Sequence, residues 1–113
     1  MSETGQTWRR AFKGLPIEAS QVREWAGRRA AHPDASQVAN ELFVAVLNSG
    51  ADMIEVTIST AGDRTRITAI GPALLPLAHS HGPGWRLVAG LARTTGLTTE
   101  GCGLWAQLQE AAR

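Results

Sequence analysis

Apolar residues at helical spacing predict three helices in this chain. They recur every three or four positions over residues 18–31, 35–48 and 85–95, so each stretch has one apolar face. The His-Pro-Asp run at 32–34 separates the first two helices, and Gly96 is expected to end the third. The residues of the three apolar faces are Val22, Trp25, Ala26, Val38, Leu42, Ala45, Val46, Leu87, Val88 and Leu91.

A two-residue period replaces the helical one in the middle of the chain. Ile54, Val56 and Ile58 alternate with polar residues, which is typical of a strand that is buried on one side. The Ala-Gly-Asp run at 61–63 predicts a hairpin turn, and residues 65–70 form the return strand.

Shorter strands are predicted near both ends of the chain, over residues 8–13, 97–100 and 104–108. Residues 1–7 are expected to form a flexible tail, and the Gly- and Pro-rich residues 71–84 a loop. The resulting order predicts an α+β two-layer sandwich. Three helices cover one face of a mixed, mostly antiparallel sheet, within a single domain that begins after the tail and runs to residue 113.

Composition excludes several classes of protein. The chain has 113 residues and a net charge of +1, with 43% apolar and 19% charged residues, as in an ordinary globular domain. A single cysteine excludes an internal disulfide and a cysteine-cluster metal site. No apolar run is long enough for a membrane span, and the charge is too balanced for direct binding to nucleic acid. These features predict a cytoplasmic protein.

Four segments together resemble the GHKL ATPase family, whose Bergerat fold occurs in histidine kinases, Hsp90 and gyrase. The chain looks most like the small anti-sigma-factor serine kinases and their actinobacterial relatives, and the resemblance covers residues 8–108. The segments are NELFVAVLNSGA (40–51), ITAIGP (67–72), GPGWRLVAGLA (82–92) and GCGLWAQL (101–108).

The resemblance implies a nucleotide site with four components. A strand-end carboxylate would accept a hydrogen bond from the adenine amino group, and a helix asparagine would supply an oxygen to Mg²⁺. A glutamate on the same helix would act as the base. Glycines would let backbone N–H groups approach phosphate, and the glycines that match are Gly71, Gly82 and Gly84.

The polar positions of that site are lost in this chain. Ala69 stands where the family has its aspartate. If Glu41 is the catalytic acid, Ala45 stands where the asparagine belongs. In the other alignment, Asn40 takes the glutamate position and Val44 the asparagine position, so the Mg²⁺ ligand is missing either way.

We therefore expect a degenerate, non-catalytic ATPase domain that acts as a protein-binding regulator of the anti-sigma type. The partner implied is a sigma factor, an anti-sigma antagonist or another transcription regulator, and no cofactor or membrane is expected. The alternative is an active ATP-dependent serine/threonine protein kinase, for which ATP and Mg²⁺ would be required and Glu41 would be the base.

Exposed apolar residues supply candidates for an interface. Trp8 lies on the N-terminal strand, whose free edge leaves a homodimer open. Leu74, Leu75 and Leu77 lie in the loop after the hairpin, where they either fill the unused nucleotide pocket or contact a partner. No metal site is expected.

Overall fold

Five strands and three helices make up the described part of the chain. The computed structural model describes residues 5–75 and 83–108. A short 3-10 helix (Pro16–Glu18) precedes the first α-helix. In chain order the elements are β1 (Gly5–Lys13), α1 (Ala19–Arg29), α2 (Ala35–Leu47), β2 (Met53–Ala61), β3 (Arg64–Ile70), α3 (Pro83–Leu91), β4 (Ala92–Leu97) and β5 (Gly103–Leu108).

The five strands form one sheet in the order β1-β2-β3-β5-β4. All four pairings between neighbouring strands are antiparallel, including the pairing of β3 with β5, which are separated in sequence by α3 and β4. The predicted α+β two-layer sandwich is confirmed, and its sheet is antiparallel in every pairing rather than mixed.

The core lies between the helices and one face of the sheet, which we call the inner face. The middle strands alternate strictly, so that every second side chain is buried on this face. Helix α2 contributes the largest apolar surface opposite it, including the fully buried Leu42, Phe43 and Val46. The sheet residues of this core are Phe12, Ile54, Val56, Ile58, Ile67, Ala69, Ala92, Leu104, Ala106 and Leu108.

The opposite face of the sheet, here called the outer face, carries mainly polar side chains. By register, Arg9 of β1, Thr57 of β2, Thr68 of β3 and Trp105 of β5 lie in one row across it. Trp105 is half-buried there, and its indole contacts Gly96 of β4.

The two ends of the sheet differ. At one end, here called the Gly71 end, β1, β3 and β4 finish and β2 and β5 begin. At the other, here called the hairpin end, the turn at 61–64 joins β2 to β3, and Gly62 in that turn has a positive φ of 59°. Gly71 itself follows β3 directly and donates its N–H to the carbonyl of Cys102 at 3.0 Å.

The predicted boundaries differ from the structure at both chain ends. Residues 5–7, expected in the tail, extend β1 and pair with the end of β2. The predicted helix over 85–95 ends at Leu91, and Gly96 lies inside β4 instead of ending a helix. The physical reason is long-range, because β4 pairs with β5 and the Trp105 ring occupies the space that a side chain at 96 would need.

The close approach of β3 and β5 gives a test of the sheet. A Cβ atom added to Gly103 would overlap the carbonyl oxygen of Ala69 and lie 2.8 Å from Cγ1 and 3.0 Å from Cα of Ile70. Because two of these atoms are backbone, we expect Gly103→Ala to lower the free energy of unfolding by about 2–3 kcal/mol in urea denaturation.

Gly90→Ala is the matched control. A Cβ at this exposed position of α3 meets nothing within 4 Å, and alanine is the better helix former. The variant should gain about 0.5–1 kcal/mol. Equal stabilities for the two variants would contradict the described contact between β3 and β5.

Candidate functional site

The sequence places the candidate site at the Gly71 end of the sheet, where α2 packs over the end of β3. Ala69 lies on the inner face of β3, between Val56 of β2 and Leu104 of β5, and is 0% exposed. Its methyl group is part of the apolar core, so this position presents no hydrogen-bond acceptor from its side chain.

Gly71 continues directly from this strand and lies close under α2. A Cβ built on it would be 2.9 Å from Cγ1 of Val46 and 3.1 Å from Cβ of Ala51. Val46 is fully buried, and its neighbour Ala45 is half-buried and packs against the core. The space between Gly71 and α2 is therefore filled by aliphatic side chains.

Glu41 is held by amides of its own helix. Its Oε2 accepts a hydrogen bond from Nε2 of Gln37 at 2.9 Å and another from Nδ2 of Asn40 at 2.8 Å. Asn40 in turn accepts a hydrogen bond from Arg23 of α1 at 2.7 Å. Arg23, Asn40 and Glu41 thus form a chain of hydrogen bonds that joins α1 to α2. Both candidates for the glutamate position, Glu41 and Asn40, belong to this chain.

The residues of the asparagine position are apolar and partly buried in both alignments. Ala45 and Val44 pack against the core, and neither carries an oxygen for Mg²⁺. Among the described residues, no group of three His, Cys, Asp or Glu side chains is arranged to hold a metal ion. In both alignments, the asparagine position therefore provides no side-chain oxygen.

The loop leucines separate into two environments. Leu75 is 9% exposed, belongs to the core, and donates its N–H to the carbonyl of Gly101 at 2.9 Å. Leu74 is 72% exposed. Leu75 is therefore part of the core, whereas Leu74 is exposed at the surface.

The remaining candidates fall in different places. Trp8 is half-buried, packs against the core, and lies on the edge strand β1 opposite Ile58. Gly84 lies in α3, and Gly82 and Leu77 lie outside the described residues.

Sequence reasoning missed an apolar surface at this end of the sheet. Leu15 and Ile17 follow the end of β1, Met53 begins β2, and Leu97 ends β4, and all four are exposed. With Leu74 they make up what we call the apolar end. Each residue is an isolated apolar position in sequence, so no local pattern indicates that the fold gathers them at one end of the sheet.

Replacing Ala69 by aspartate tests whether this position still belongs to a polar site. Ala69→Asp restores the carboxylate of the resembled family at a fully buried apolar position, so we expect a loss of about 3–5 kcal/mol in the free energy of unfolding. The variant should also show no stabilisation by ATP·Mg²⁺.

Ala11→Asp makes the same change on the exposed side of β1 and serves as the control. Its stability should stay within about 1 kcal/mol of the wild type. A folded Ala69→Asp variant that binds ATP would show that a nucleotide pocket persists beside β3.

No helix in residues 5–75 and 83–108 is long and apolar enough to cross a membrane.

Comparison with known proteins assigns the chain to no family. No known protein family matches the chain, and no curated protein sequence matches it significantly.

Proposed function

We propose that this chain is a degenerate GHKL-like domain that regulates by binding another protein and does not turn over ATP. The observation that carries the proposal lies at the Gly71 end of the sheet. Where the resemblance expects the adenine-binding aspartate and the Mg²⁺-binding asparagine, the chain has apolar residues packed in or against the core, Ala69 and either Ala45 or Val44.

The energetics of nucleotide binding support the proposed absence of ATP turnover. A missing buried polar partner costs about 1–3 kcal/mol, and here the adenine acceptor and the Mg²⁺ ligand are both replaced by apolar side chains. Micromolar binding corresponds to roughly 8 kcal/mol, so the combined loss removes a large share of it.

The apolar end supports the proposed binding of another protein. Ile17 is 80% exposed and Leu74 is 72% exposed, which is unfavourable in water unless a partner covers them. Of the six large apolar side chains that are exposed among the described residues, five belong to the apolar end, and Leu87 of α3 is the other. A contiguous apolar patch is typical of a protein-binding surface, and we propose that these residues, which lie at the ends of several strands, contribute to one.

The resemblance to anti-sigma-factor kinases suggests the class of partner. A sigma factor, an anti-sigma antagonist or another transcription regulator would be captured by the apolar end in the cytoplasm. This role requires binding and release only, so it needs no cofactor in this chain.

A nucleotide titration tests the non-catalytic half. If ATP·Mg²⁺ bound with a Kd of about 10 µM, a hundredfold excess over Kd would add about 2.7 kcal/mol and raise Tm by about 10 °C. We expect no rise in Tm with ATP·Mg²⁺ in a thermal-unfolding assay.

The Glu41→Gln variant distinguishes binding from catalysis if Tm does rise. If ATP·Mg²⁺ raises the Tm of both the wild type and the variant, and only the wild type transfers phosphate to a partner protein, the chain is an active kinase with Glu41 as its base. A shift without transfer in either protein would leave a nucleotide-binding regulator and contradict the loss of the nucleotide site.

Affinity capture tests the protein-binding half. The tagged chain, used as bait in an extract of its own host, should recover a transcription regulator. The double variant Leu74→Ser/Met53→Ser should recover less of it, because two exposed anchors of the apolar end are removed.

Leu87→Ser is the control bait, since Leu87 is 42% exposed on α3 and does not belong to the apolar end. It should recover as much partner as the wild type. Equal recovery by all three baits would show that the apolar end is not the binding surface.

A further inference from the structure

A groove lies on the outer face of the sheet, at the hairpin end and away from the apolar end. It has a volume of about 300 Å³ and crosses the ends of β1, β2, β3 and β5. Its polar lining includes Thr7, Ser59, Arg64, Arg66 and Gln107, which provide guanidinium, amide and hydroxyl donors.

The outer face around this groove is predominantly cationic. The basic side chains that β1 and β3 place on it near the groove are Arg9, Arg64 and Arg66, whereas Lys13 lies at the opposite end of β1. Glu55 is the acidic residue that these strands and β2 place there, and it lies four residues from Ser59, or about 13 Å along β2. Asp63 belongs to the adjoining turn. A ligand in the groove therefore meets mainly positive charge.

Arg66 is positioned by contacts on the same face. Its guanidinium carbon stacks 4.2 Å from the centre of the Trp105 ring, whose indole N–H donates to the carbonyl of Leu97 at 3.1 Å. No carboxylate among the described residues forms an ion pair with Arg66. A guanidinium that lies over a ring face keeps its N–H groups in its own plane, where they suit bidentate binding of a carboxylate.

Two hydroxyl groups complete the floor of the groove beside Arg66. Oγ1 of Thr7 and Oγ of Ser59 lie 3.2 Å apart in a hydrogen bond, and Ser59 is directly opposite Arg66 in the register of β2 and β3. One hydroxyl hydrogen of this pair is not used in the bond between them, and an anion bound by Arg66 would find it as a further donor.

We propose that this groove is a docking site for an acidic, extended segment of a protein, whose carboxylates bind Arg66 and its polar neighbours. The proposal goes beyond the regulatory role above, because it concerns a different surface and a different chemistry. The groove is open along the sheet and lies beside exposed arginine side chains. It therefore suits an extended peptide in which every second residue is acidic.

A protein segment fits this surface better than single-stranded nucleic acid. Stacking of bases requires an open aromatic face, whereas Trp105 has Arg66 on its β3 side and Gly96 on its β4 side. No other aromatic side chain lies on the outward positions of β1, β2, β3 and β5. Carboxylate recognition needs only the guanidinium and hydroxyl donors that are present.

The experiment measures binding of a fluorescein-labelled peptide of Glu-Thr repeats to the whole chain by fluorescence anisotropy. A peptide of about twelve residues is long enough to cross the sheet at roughly 3.3 Å per residue. We expect binding that weakens with added salt and becomes about tenfold weaker in Arg66→Gln.

Two further variants make the outcome specific. Arg29→Gln removes the same charge from the exposed surface of α1 and should bind like the wild type. Ser59→Glu places a carboxylate in the groove, opposite Arg66, and should abolish binding by repulsion and competition. Unchanged Tm values for all three variants exclude loss of folding as the cause.

Three outcomes would overturn the proposal. They are no binding of the Glu-Thr peptide to the wild type, equal weakening by Arg66→Gln and Arg29→Gln, and tighter Arg66-dependent binding of an oligothymidylate of the same length. The last would assign the groove to nucleic acid. None of these results bears on capture through the apolar end or on ATP binding.

Discussion

The packing of α2 against the inner face of the sheet is the contact on which the rest of this structure depends. Leu42, Phe43 and Val46 are fully buried against isoleucines and valines of β2 and β3. A chain of 113 residues has one core of this size, so its stability comes mainly from removing these side chains from water. The aromatic edge contacts of Phe12 with Trp25 and Phe43 extend the same core to β1 and α1.

This packing also determines what the Gly71 end can do. Since α2 lies close over the end of β3, only small residues fit there, and Ala69 and Gly71 occupy the two positions nearest to it. A nucleotide site needs a polar cavity in the same place, held open by buried polar groups with partners. The space beneath α2 can therefore hold either closely packed apolar side chains or a nucleotide. The described side chains favour packing.

The two ends of the sheet present different chemistry to a partner. The apolar end exposes aliphatic side chains next to the filled site, and the groove at the hairpin end exposes guanidinium and hydroxyl groups. At about 3.4 Å per residue, the nine residues of β2 separate the two ends by roughly 30 Å. If both proposals hold, one chain has two separated surfaces for binding, one apolar and one basic.

The sequence by itself determined the local elements, because helical and strand periods are properties of neighbouring residues. The stripe from Val38 to Val46 and the alternation from Ile54 to Ile58 were sufficient to predict α2 and β2, and the order of elements predicted the two-layer sandwich. Only the tertiary structure decided the end of α3 at Leu91, the burial of Leu75 beside the exposed Leu74, and the stacking of Arg66 on Trp105. Each of these depends on residues brought together from distant parts of the chain by strand pairing, and no periodicity along the chain encodes which strands become neighbours.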